Sequence, residues 1–199
     1  MDLLARIQQN FKESVDTIQM AQELLAPQLV QAAERLTQCL MVDGKIVSCG
    51  NGSSAAAAQR FVSLMLNRFD KERPGLAAYS LVADGAALSA IASEHDFDLV
   101  FSKQLRALGM PQDVLLAISP SGDAANVIEA IHTAHERQMG VIALTGGDGG
   151  EIANILTADD VHLCVPADNN ARIEEMHVLA LHCLCDAIDL QLMGEQDPT

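Results

Sequence analysis

The stretch that most restricts the fold is Lys45 to Phe61, KIVSCGNGSSAAAAQRF, where a short apolar strand runs straight into a small-residue turn and then a helix. Ile46 and Val47 centre a strand over 45–49, and Gly50, Asn51 and Gly52 offer the positive-φ conformations that a tight exit requires. Either Ser53 or Ser54 caps a helix expected to begin at Ala55. Free backbone N–H groups at a helix start carry positive partial charge and serine hydroxyls add donors, so such a junction draws in an anion such as a sugar phosphate. The same residues also suit a plain strand-to-helix turn whose glycines serve geometry alone. Neither a Walker A loop nor a dinucleotide fingerprint is present, since the spacings differ and no lysine follows the glycines.

Ahead of this strand, two helical segments separated near Pro27 are expected. Leu4, Ile7, Phe11, Val15, Ile18 and Leu25 mark one apolar face, and Leu29, Ala32, Ala33, Leu36 and Leu40 mark another over Gln28 to Met41. A helical pair over 1–42 offers more apolar face than a sheet shared with other helices can cover, so it reads as an oligomerisation element of the α/β domain over 43–199. Further strands are expected at 77–81, 114–118, 141–144 and 161–165. Helices are expected from 55 to about 69 and over 86–92, 99–108, 124–137, 151–156 and 171–192. Val114 to Ile118 is apolar on both faces, as a central parallel strand must be, and it ends in a second hydroxyl-rich turn, Ser119-Pro120-Ser121-Gly122-Asp123. Strands alternating with helices imply an α/β fold with a doubly wound parallel sheet, whose ligands bind at the strands' carboxyl ends; both serine turns lie at that edge.

A net charge of -15 argues against direct contact with nucleic acid or an anionic membrane, so macromolecular partners are expected to be proteins. Five cysteines form neither a CxxC pair nor a metal spacing, which predicts no metal and suits reduced thiols in the cytoplasm. No basic segment precedes an apolar run at the amino terminus and no apolar stretch of spanning length is evident, which predicts a chain neither exported nor inserted in a membrane.

The runs CGNGSSAAAAQRF, DVLLAISPSGDAANVIEAI, VIALTGGDGGEIA and ARIEEMHVLALHCLCDAID resemble, in order and spacing, the sugar isomerase (SIS) domain family. Within it the chain looks most similar to the phosphoheptose isomerases and to their relative, the DnaA initiator-associating protein DiaA. The resemblance implies a three-layer α/β/α sandwich with a five-stranded flavodoxin-like parallel sheet, and a homotetramer built partly through the amino-terminal helices. It also implies a sugar-phosphate pocket between subunits, lined by Asn51, Gly52, Ser54, Ser119 and Ser121; Ser53, Glu174 and His182 join these as candidates. No cofactor is implied.

The departures from that family are specific. Phosphoheptose isomerases carry a His and, four residues on, a Glu in the helix after the first turn, and this chain has Arg60 and Leu64 there. In the last helix those enzymes have a Gln and, eight residues on, a His, against Glu174 and His182 here. The second turn gains a carboxylate, Asp123, which suits a helix cap but opposes a dianion; Arg60 would compensate by pairing with Glu174 or with a phosphate. Leucine accepts no proton, so the expectation is a catalytically depleted SIS protein, binding a sugar phosphate or acting as a tetrameric adaptor for DnaA. Leu192 and Met193, where the last helix leaves the core, are then the candidate partner contact. The alternative is a phosphoheptose isomerase converting sedoheptulose 7-phosphate to D-glycero-D-manno-heptose 7-phosphate, with its acid and base rebuilt from His182, Glu174 and Glu175.

Overall fold

The computed structural model describes residues 2–194. Strands β1 (Ile46–Gly50), β2 (Ala78–Ser80), β3 (Val114–Ile118), β4 (Gly140–Gly146) and β5 (Val161–Val165) form one parallel sheet in the order β2-β1-β3-β4-β5. The helices are α1 (Leu3–Met41), α2 (Ser53–Leu66), α3 (Gly85–Glu94), α4 (Ser102–Leu108), α5 (Ala125–Glu136), α6 (Gly150–Ile155) and α7 (Asn170–Met193). Alternation along each strand splits the core in two. Ile46, Leu116, Ile118, Ile142 and Leu144 pack under α1, α2 and α7, whereas Val47, Leu115, Ala117, Val141 and Ala143 pack under α4, α5 and the inner side of α3. The result is the expected three-layer α/β/α sandwich. Because α2 and α5 leave the neighbouring strands β1 and β3 toward opposite faces, the crevice opens at the carboxyl ends of those two strands.

The expected break near Pro27 is absent: α1 is one continuous helix with Pro27 inside it. A proline there removes one ladder hydrogen bond and crowds the preceding turn, at a cost of about 3 kcal/mol. Packing of Ala21, Leu25 and Leu29 against Val165, Ile173 and Met176 on either side of it offsets that cost. The first half of α1 is bare by comparison, with Leu3, Leu4, Ile7, Phe11 and Val15 all exposed.

A second expectation also needs amendment, because α7 is long and apolar enough to cross a membrane by length and composition alone: 24 residues, with a mean hydropathy of 1.3 in its most apolar window. Its apolar character answers to the core instead. Ile173, Met176, Ala180, Leu181, Leu184 and Ile188 are buried where α7 lies against α1, α2 and the sheet.

Candidate active site

The first serine turn differs from expectation in its cap. Gly52, at φ 54°, is the N-cap of α2, so Ser53 and Ser54 form the helix's first turn and neither caps it. The hydroxyls are freed for other work: Ser54 is buried, and Ser53 Oγ donates to Glu174 Oε1 at 2.6 Å across to α7. Asn51 is held in a reciprocal amide pair with Asn126, at 2.8 and 2.9 Å, which ties this turn to the start of α5. Nothing in the sequence marks Asn126, because its partner lies 75 residues away.

The second serine turn is fastened to its neighbour. Ser119 is buried and its N–H donates to the Leu144 carbonyl at 2.9 Å. Gly122, at φ 73°, sits so close to the β4–α6 turn that a Cβ there would overlap the Gly149 carbonyl. Asp123 does not cap α5, whose N-cap is Ala124; its Oδ1 accepts from Glu151 N at 2.9 Å and so caps α6. Ser121 is exposed and accepts from the Asp123 N–H at 3.2 Å.

Between the start of α2, the end of β3 and the start of α7 lies a cavity of about 530 Å³. Ser53, Ser54, Ile118, Glu174, Glu175 and His177 are on its wall, while Asn51, Gly52, Ser119 and Ser121 are not. The two carboxylates differ in freedom. Glu175 is held at both oxygens, by Ser14 Oγ at 2.8 Å and by Arg172 at 2.6 Å, whereas Glu174 is held by Ser53 alone among the described residues. His177 went unmarked in the sequence; the available signal was its place three residues beyond Glu174, on the same helical face.

His182 is not in that cavity. It occupies a narrow cleft with Arg60, Phe61 and Leu64, joined to the cavity through Ala57 and Val178, which border both. Arg60 Nε donates to His182 Nε2 at 3.3 Å, so Arg60 is turned to His182 rather than to Glu174, and the imidazole proton is on Nδ1. Burial, and then the Arg60 charge, hold His182 below its ordinary pKa, and Phe69 lies against it at a ring separation of 5.6 Å. At the far end of α7, Leu192 packs against the core and Met193 is exposed. No cluster of His, Cys, Asp or Glu among the described residues is placed to hold a metal ion. Burial pushes the Cys39 thiol up to about 11 and those of Cys49 and Cys185 to about 12, so these three are packing groups rather than nucleophiles.

Two models of the SIS domain match the chain, over residues 9–146 and 100–193. A phosphoheptose isomerase of Laribacter hongkongensis is 57% identical over 194 residues, 98% of this chain and 99% of that protein. One from Azoarcus sp. is 56% identical over 197 residues, covering 99% and 100% respectively. The solved phosphoheptose isomerase of Neisseria gonorrhoeae superposes with a TM-score of 0.90 at 52% identity, over 94% of this chain and 99% of that one. That of Francisella tularensis gives 0.93 at 44% identity, over 95% and 99%. These full-length similarities to proteins named as isomerases overturn the expectation of a non-catalytic adaptor for DnaA. That expectation gave decisive weight to positions 60 and 64, on one wall of the groove, and too little to Glu174 on the other. The chain belongs to the SIS domain family, in its phosphoheptose isomerase branch.

Proposed function

We propose that this chain is a sugar-phosphate aldose–ketose isomerase converting sedoheptulose 7-phosphate to D-glycero-D-manno-heptose 7-phosphate. The observation that carries the reading is the Glu174 carboxylate, held by Ser53 at the wall of the cavity with one oxygen not engaged by any described residue. In the open-chain ketose Glu174 removes a proton from C1, and the electron pair forms the C1–C2 double bond of an enediol as the C2 oxygen gains a proton. Return of a proton to C2 and loss of the O1 proton leave the aldehyde at C1, so C1 is oxidised and C2 reduced within one molecule. Ser53, hydrogen-bonded to Glu174, holds that carboxylate at the cavity wall. The phosphate falls to the N–H groups at the start of α5 beside Ser119 and Ser121, next to Ile118 on the wall, where the Asp123 carboxylate is turned aside to the Glu151 N–H.

A coupled assay for the heptose 7-phosphate product tests this directly. Purified protein should turn over sedoheptulose 7-phosphate well above the uncatalysed rate, and turnover at background would overturn the assignment.

The exposed apolar half of α1 further supports a homotetramer, with Leu4, Ile7, Phe11 and Val15 covered by a neighbouring subunit. Light scattering should give about four times the 21.2 kDa subunit mass, and a monomer at micromolar concentration would refute it. The five unpaired thiols suit a cytoplasmic enzyme.

A further inference from the structure

His177 borders the cavity beside Ser54 and Glu174 with only 2% of its surface exposed. Its Nε2 lies 2.9 Å from the Thr145 backbone oxygen, which only accepts, so Nε2 carries the imidazole proton. Nδ1 is then a bare acceptor, buried and without a partner among the described residues. Burial pushes the imidazole below its ordinary pKa, outweighing the opposite pulls of Thr145 and Glu174, so the ring is neutral at pH 7 and the Nδ1 lone pair persists. Buried acceptors in native proteins are nearly always satisfied, and an exception in a side chain that borders a cavity points to a donor that arrives from outside.

We propose that His177 Nδ1 accepts a hydrogen bond from a hydroxyl of the bound polyhydroxy sugar phosphate, which makes His177 a residue that selects the substrate. For the identity of the ligand this rests on the isomerase reading. A sugar phosphate lacking that hydroxyl leaves the acceptor unpaired and is discriminated against, whereas the correct one completes the buried ring's hydrogen bonding.

Two substitutions separate this role from a structural one. In His177→Gln the side-chain amide still reaches Thr145 O but no acceptor remains at Nδ1. In His177→Asn an acceptor remains near Nδ1 but the bond to Thr145 is lost. Calorimetric titration with sedoheptulose 7-phosphate should show His177→Gln binding about three- to tenfold more weakly than the parent, the size of one hydrogen bond, at a nearly unchanged melting temperature. His177→Asn should melt earlier yet keep the parent's affinity; should His177→Gln fail to fold, this arm decides, and lost affinity in folded His177→Asn overturns the proposal. Parent-like affinity in His177→Gln overturns it as well. A parent that binds without turnover refutes the isomerase reading and leaves the His177 comparison standing, while a parent that does not bind overturns both.

Discussion

The two ends of the groove between α2 and α7 are built from the same helical stripes and behave differently. On α2 the stripe is Ser53, Ala57, Arg60 and Leu64; on α7 it is Glu174, Val178 and His182. At the first end, Ser53, Ser54, Ala57 and Ala171 are all small, and the helices stand around a cavity with a carboxylate on its wall. At the second, Phe61, Leu64 and Phe69 fill the space, and the charged groups are turned on each other as the Arg60–His182 pair. Side-chain volume, more than the pattern of titratable groups, decides which end admits a ligand.

The sharpest way to break this comparison is Glu174→Gln, which keeps an acceptor for Ser53 but removes the base. Loss of a positioned general base should lower kcat by on the order of a hundredfold to ten-thousandfold in the coupled assay. A variant within tenfold of the parent would mean that the open end is not where the proton moves.

Next in size is the clamp that holds the closed end. Arg73 donates to the carbonyls of Leu64, Met65 and Asn67 as α2 finishes, and its Nε pairs with Asp189 of α7 at 2.5 Å, the two side chains being 1% and 8% exposed. Asp189→Asn leaves that guanidinium buried and uncompensated, so urea denaturation should show a loss of about 3–5 kcal/mol. A loss under about 1 kcal/mol, the range of an exposed pair, would show that packing alone closes this end.

How much of this was legible follows from how far each decision reaches along the chain. The β1 strand with its glycine turn and the doubly buried β3 were readable because their signals are local: apolar runs, positive-φ residues and strand length. Both serine turns were correctly placed at one sheet edge for the same reason. Pro27 was misread as a break because what keeps α1 whole is packing on β5 and α7, more than 130 residues away. Asp123 looked like the cap of the next helix and caps the one after, because Gly122 lets two turns interlock. Periodicity placed Arg60 and His182 on helix faces but not on facing ones, since their contact spans 122 residues. The same blindness produced the functional error. Two substitutions within one helix were visible in sequence; the carboxylate across the groove was a candidate, and only the fold set it beside Ser53.

The smallest expected effect bears on whether the closed end is closed to protons as well as to substrate. Burial and Arg60 hold His182 below its ordinary pKa of 6.5, so the folded chain binds fewer protons there than the unfolded chain does. The sign follows: the stability associated with a neutral His182 is complete above pH 6.5 and drains away as pH falls through the lowered folded value. His162 and His177, lowered by burial, contribute in the same direction, so the parent's loss of stability in mild acid is shared among the three. His182→Gln keeps an acceptor for Arg60 but cannot titrate. Its unfolding free energy, followed by urea denaturation at a series of pH values, should fall less steeply below about pH 6.5 than the parent's. Its turnover at pH 7 should stay within about tenfold of the parent, short of what a positioned acid or base supplies. An unchanged pH slope would show that the folded chain does not hold His182 below its ordinary pKa. A hundredfold fall in kcat would move the reacting centre along the groove to His182 and undo the distinction between its two ends.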